Sequence, residues 1–266
     1  MSNLYPLLLR KREKKGVLNS DYQIFIAFRL ENLDIIGMIE CQKITKIYKS
    51  GDVETTALKA ISFKLNNGEF VAIMGPSGSG KSTLMHLLGC LDIPTKGQYF
   101  LDGKDVSKLS SDELAEIRNK KIGFVFQTFN LLPHLSLWEN IMLPARYNPR
   151  GDLKESENRA NELLEIVGLA DRKKHLPSQL SGGESQRGAI VRALVNSPVI
   201  VLADEPTGNL DSQTGLEITT LLKEMNEKHD LTEIIVTHDP NIANFTRRKI
   251  KIKDGLVESD ELNGGQ

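Results

Sequence analysis

From Met38 onward the chain alternates short apolar runs with longer amphipathic stretches. Four runs are rich in β-branched residues or Phe and end in polar ones: FVAIM before Gly75, IGFVF before Gln127, VIVLA before Asp204 and EIIVT before His238. Continuous rather than alternating apolarity predicts strands buried on both faces, as in a parallel sheet covered by helices. IECQKITKIY and ALKAISFKL, the latter followed by Asn66, Asn67 and Gly68, predict strands of a small, partly antiparallel sheet. In SENRANELLEIVGL, the residues Leu163, Leu164, Ile166 and Val167 form one helical stripe between the second and third apolar runs. That stretch predicts a helical insertion on an α/β core. A second amphipathic stretch, GLEITTLLKEMNEKH at 215–229, separates the third run from the fourth and completes a strand, helix, strand unit.

Composition narrows the class. At 266 residues, with 39% apolar and 26% charged residues, the chain is an ordinary globular one, which excludes disorder and collagen. Its apolar runs are far shorter than the roughly 18 residues a membrane-spanning helix needs. Lys and Arg number 34 against 35 Asp and Glu, so no global positive field advertises nucleic acid or an anionic membrane. Cys41 and Cys90 lack the paired spacing of a zinc site and read as inert packing residues. LYPLLL precedes the basic run RKREKK, the reverse of secretory order, so the expected compartment is the cytoplasm.

Residues 1–37 differ in texture and are expected to form an extension outside the main domain. Met38 directly precedes the first strand, so the native chain is expected to begin there, with 1–37 dispensable. The alternative is an extension whose LYPLLL and YQIFIAF segments pack on the domain or on a membrane partner.

Candidate chemistry begins at Gly75–Ser82. GPSGSGKS fits GxxxxGK[ST] between the strand FVAIM and the helical STLMHLLG. Gly75, Gly78 and Gly80 allow the backbone to curl until successive N–H groups face one anion, and the helix N-terminus adds partial positive charge. Lys81 offers a point charge to the β and γ phosphates, and Ser82 a hydroxyl to Mg²⁺. The expected nucleotide-binding loop is Gly75, Pro76, Ser77, Gly78, Ser79, Gly80, Lys81, Ser82 and Thr83.

Asp204 and Glu205 end the most apolar run. Adjacent carboxylates at a buried strand terminus suit a metal ion and a polarised water: Asp204 holding Mg²⁺ and Glu205 aiming water at a phosphoryl group. Ligands of parallel α/β sheets lie beyond the carboxyl ends of the strands, so Asp204, Glu205, Gln127 and His238 point to one crevice. LSGGESQR at 180–187 places Ser181, Gly182 and Gly183 before a helical run, a second candidate anion cradle. Two cradles with one lysine loop predict nucleotides shared between two copies in a two-fold dimer.

Together these motifs resemble the ATP-binding subunit of ABC transporters over roughly residues 38–258. The lysine loop, Gln127, LSGGE, VIVLADE, GNLD at 208–211 and His238 fall in that family's order. The resemblance implies a P-loop NTPase with a RecA-like parallel core sheet, a small antiparallel β subdomain and a helical subdomain at about 129–190. Residues 259–266 would then be a polar tail. It further implies that Tyr48 stacks on adenine, Gln127 senses Mg²⁺ and the membrane partner, Glu205 orients water, Asp211 links the two sites across the dimer, and His238 contacts the γ-phosphate. GCLDIPTKG, FQTFNLLPHLSLWENIMLP and PTGNLDSQTG look like the branch serving macrolide export, lipoprotein release and the related cell-division ATPase. The implied protein is an ATP- and Mg²⁺-dependent ATPase, peripheral on the inner face of the cell membrane, that powers a separate permease. A regulatory ATPase passing force to a membrane partner without transport is the alternative.

Overall fold

The computed structural model describes residues 38–148, 151–229 and 231–263. The expectations for residues 1–37 lie outside the described residues. Two sheets organise the rest. β1 (Ile39–Ser50), β2 (Val53–Leu65), β4 (Lys96–Leu101) and β5 (Lys104–Asp105) form an antiparallel sheet in the order β2-β1-β4-β5. β3 (Phe70–Met74), β6 (Ile122–Phe126), β7 (Ile200–Asp204), β8 (Thr232–Val236), β9 (Arg248–Lys253) and β10 (Leu256–Leu262) form the second sheet, ordered β10-β9-β3-β8-β7-β6. All its pairings are parallel except that of β9 with β10. The four apolar runs are thus β3, β6, β7 and β8, inside a parallel sheet as their continuous apolarity requires.

Successive residues of the central strands enter different cores. Ile200, Leu202, Ile234 and Val236 join the cluster formed with the antiparallel sheet and the helix α1 (Lys81–Leu88). Val201, Ala203 and Ile235 face the opposite way, packing with Ile190 of α5 (Gly182–Leu194) and with Ile218 and Leu222 of α6 (Ser212–His229). Each such buried Val, Leu or Ile side chain contributes about 1.5–3 kcal/mol.

Between β6 and β7 the chain is helical: α3 (Leu137–Arg146), α4 (Leu153–Ile166) and α5, with α2 (Ser111–Lys121) preceding β6. Leu137, Ile141, Leu163, Leu164 and Val191 share a third core there. Ser110, Ser136 and Ser181 start their helices with reciprocal caps from Glu113, Glu139 and Glu184. The short helix α7 (Pro240–Ala243) follows β8.

The C-terminal boundary differs from expectation. Residues 259–262, expected in a polar tail, complete β10. Arg248 of β9 explains this, since its Nε and Nη2 donate to both oxygens of Asp260 at 2.7 Å while Nη1 reaches Glu69 at 2.9 Å. Cys41 and Cys90 are buried and unbridged, and burial pushes the Cys90 thiol up to about 11, so it stays a thiol at neutral pH.

One core residue breaks the apolar rule. Glu233 of β8 is only 1% exposed, shares the Ile235 face, and has no hydrogen-bond partner on either carboxyl oxygen. Burial holds its carboxyl well above the usual range, so the folded chain keeps a proton that the unfolded chain releases. Stability from this group is therefore fully present below the usual Glu value of 4.5 and falls as pH rises above it. Glu233→Gln removes the titration, so its stability relative to the wild-type chain should grow as pH rises above 4.5. Urea titrations at several pH values read this difference, and one that shrinks with rising pH contradicts it.

Candidate active site

The site assembles at the carboxyl ends of β3, β7 and β8. After β3 the loop curls into α1, whose N-cap is Gly80 in a left-handed conformation (φ 105°) with no side-chain cap. A Cβ there would lie 2.7 Å from the Ala57 carbonyl oxygen, so glycine is required. The first N–H groups of α1 are thus left to an external acceptor. Lys81 Nζ donates to the carbonyls of Gly75 and Pro76, both at 2.8 Å. Two of three ammonium donors hold the side chain over the loop and one remains for an anion. Ser79 Oγ is buried without a partner, while Pro76, Ser77, Gly78 and Ser82 are exposed and Thr83 is half-buried.

Asp204 ends β7 half-buried. Burial first, then the neighbouring Glu205 charge, raises its carboxyl, against the opposing charges of His86 and Lys81. Such a carboxylate gains from an added cation. Glu205 follows with φ 44°, costly for a residue with a Cβ, and its N–H extends the strand ladder to the Val236 carbonyl at 2.9 Å. Its Oε1 accepts from the backbone N–H of His238 at 3.1 Å and from His238 Nδ1 at 2.6 Å, and its Oε2 from Thr237 Oγ1 at 3.3 Å. The bond and charge of Glu205 raise the exposed imidazole of His238. Gln127, beyond β6, is tied to Asn209: its Nε2 donates to Asn209 Oδ1 at 3.3 Å and its carbonyl accepts from Asn209 Nδ2 at 3.0 Å.

The Ser181 cradle lies apart from this cluster. Ser181, Gly182 and Gly183 open a cleft of about 420 Å³ shared with Asn209, Asp211 and Thr214, none of them from the lysine loop. Ser181 Oγ accepts from the Glu184 N–H at 3.2 Å, so it is a helix cap whose own proton stays available to donate outward. Asp211 caps α6, accepting from the N–H groups of Gln213 and Thr214 and from Thr214 Oγ1. Tyr48 stands on β1, its hydroxyl donating to Asp92 at 3.3 Å and one ring face under Lys46 Nζ, 5.1 Å from the centroid.

Lys81, Asp204, Glu205 and His238 therefore converge, Gln127 follows Phe126, the register partner of Asp204, and Ser181–Gly183 with Asp211 form a second surface. Sequence reasoning missed Thr237 and Asn209, which lie within the quoted EIIVT and GNLD segments. Their neighbours in the sequence were the only available signal.

A family model described as ABC transporter matches residues 58–208. The macrolide export ATP-binding/permease protein MacB of Bdellovibrio bacteriovorus is 50% identical over 224 residues, covering 84% of this chain and 34% of that protein. The chain thus spans about a third of the length of such MacB relatives. An uncharacterized ABC transporter ATP-binding protein of Thermotoga maritima is 50% identical over 227 residues, covering 85% of this chain and 96% of the relative. Among solved structures, a dimeric post-hydrolysis state of the ATP-binding cassette MJ0796 bound to ADP and Pi aligns with a TM-score of 0.78 and 48% identity, covering 86% of this chain and all of that one.

The Glu205 carboxylate favours the charged imidazole, so the titration midpoint of His238 should lie above the ordinary histidine value. Glu205→Gln should lower it. Imidazole resonances followed by NMR across pH read the midpoint directly, and one that is the same in both chains would remove the pairing.

Proposed function

The chain belongs to the ABC transporter family, and from that premise we propose that it is an ATP-binding and ATP-hydrolysing subunit that drives a membrane-embedded permease on another polypeptide. The observation that carries this reading is the Glu205 carboxylate, held by Thr237 and His238 next to Asp204 and the lysine loop. In this reading the triphosphate lies along the N–H groups of the loop and the start of α1, and the free donor of Lys81 meets its terminal oxygens. His238 turns to the γ-phosphate and releases Glu205 Oε1 to hold a water. The water oxygen attacks the γ-phosphorus, the bond to the bridging oxygen of ADP breaks, and Glu205 accepts the water proton. Tyr48 offers its open ring face to adenine.

The donor set also fits Mg²⁺. Asp204, the exposed Ser82 hydroxyl and Gln127 are oxygen donors, and no cluster of three His, Cys, Asp or Glu exists among the described residues. A hard ion there takes its remaining ligands from water and phosphate. When bound it neutralises charge on the β and γ phosphates.

The separate Ser181 cleft supports sharing of each nucleotide between two chains, with Asp211 between the sites. The MJ0796 cassette is itself dimeric with ADP and Pi. A permease partner accords with the name of the MacB relatives, which joins ATP-binding and permease parts. No helix among the described residues is long and apolar enough to cross a membrane. We assign the chain to the export or lipoprotein-release type, at the inner face of the cell membrane.

Lys81→Ala should weaken ATP binding at least about tenfold, because the phosphates then meet backbone dipoles alone. Titration calorimetry showing wild-type affinity would refute the loop assignment. Glu205→Gln with ATP and Mg²⁺ should convert monomer to dimer, and Ser181→Arg in that background should prevent it by filling the facing cradle. Light scattering that finds only monomer for Glu205→Gln at saturating ATP contradicts the shared site.

A further inference from the structure

We propose that Gln186 is a positioning residue that ties the helix carrying the second cradle to the loop that begins at Glu205. Gln186 stands on α5, fully buried, and its Nε2 donates to the Pro206 carbonyl at 2.6 Å. Its Oε1 is buried as well and has no hydrogen-bond partner. An apolar residue of the same length would avoid that orphaned oxygen, so the amide is kept for what its nitrogen holds. The opposite amide orientation would set oxygen against oxygen, which fixes the nitrogen as the group facing Pro206.

The bond falls where the loop needs restraint. Proline has no N–H, so the carbonyl is the only backbone hydrogen-bonding group of Pro206. Glu205, just before it, has φ 44° and persists only if both sides of its loop are held. Val236 holds one side by accepting the Glu205 N–H at 2.9 Å, Gly208 N–H closes the turn on the Glu205 carbonyl at 3.0 Å, and Gln186 holds the other side. One turn before Gln186, a Cβ on Gly183 would lie 2.6 Å from Thr214 Cγ2, and one on Gly182 would lie 3.2 Å from Leu210 Cδ2. The first turn of α5, the loop over residues 205–211 and the start of α6 are therefore one packed unit. Occupation of the Ser181 cradle by the partner's nucleotide then bears through Gln186 on the carboxylate of this chain's own site. The inference rests on the reading above that Glu205 orients the attacking water.

The test uses the full chain. For Gln186→Met, kcat for ATP should fall at least about tenfold with KM changed less than about twofold, as for a group that positions the reacting carboxylate without touching nucleotide. Amide exchange at Gly208 in the nucleotide-free chain should accelerate at least about tenfold. A folded variant with kcat within about twofold of the wild type, or with unchanged exchange at Gly208, overturns the proposal. If Gln186→Met does not fold, Gln186→Glu decides. Its protonated carboxyl can donate to the Pro206 carbonyl and its carboxylate cannot, so its turnover relative to the wild type should rise as pH falls from about 8 to about 6. A ratio that does not change with pH, or a chain that does not fold, overturns the proposal. A wild-type chain that neither binds nor hydrolyses ATP overturns the functional reading and this inference with it, whereas effects confined to the variants leave that reading intact.

Discussion

The parallel register of the central strands pairs Ile73 with Val236 and Asp204 with Val236, so β3, β8 and β7 leave the sheet at one level. Beyond that level come the lysine loop, the Thr237–His238 step and Glu205. Three segments far apart in sequence thereby deliver a cation, a hydroxyl with an imidazole, and a carboxylate to a common edge. A slip of one residue in β7 would send Ala203 and Leu202 to the wrong cores and swing the carboxylates away, so the packing of both faces enforces the register that the chemistry needs.

Past the sheet edge, restraint passes from apolar packing to directed polar bonds. Glu205 continues the ladder with its N–H while its side chain accepts from residues 237 and 238. The loop from Pro206 to Asp211 is then gripped by Gln186, by Asn209 with Gln127, and by the capping of α6. Strain at Glu205 is local, and rigid elements on either side sustain it. Glu233 shows the contrasting case: a polar group at the opposite end of β8, buried without partners, that weakens the fold as pH rises.

Much of this was legible in the residues. β3 and β6 run as their apolar segments indicate, and β7 and β8 are displaced from VIVLA and EIIVT by a single residue. Strands buried on both faces leave short, continuous apolar runs, here rich in β-branched residues. β9 was not read because RKIKIK shows only Ile250 and Ile252 as core residues among Lys and Arg. Residues 259–262 of β10 were read as a tail because SDEL carries little apolar pattern, and what places them in the sheet is the ladder to β9 with its Arg248–Asp260 contact. α3 carries Pro144 inside it, a residue that argues against a helix in sequence, yet Asn119 Nδ2 occupies the Pro144 carbonyl and Ser136 starts the helix firmly. In the site, residues whose type announces their chemistry were singled out from the sequence. Gln186, Thr237 and Asn209 were not, because an amide or hydroxyl acquires its role only from the carbonyl or carboxylate that the fold brings to it.

The central claim is that one nucleotide is held by the lysine loop of one chain and the Ser181 cradle of another. The most direct measurement is a crystal structure of the Glu205→Gln chain grown with ATP and Mg²⁺. The account predicts a dimer in which the γ-phosphate lies within hydrogen-bond distance of Lys81 and His238 from one copy and of Ser181 and the Gly183 N–H from its partner. A γ-phosphate contacted by residues of a single chain, with the Ser181 cradle facing solvent, would contradict it.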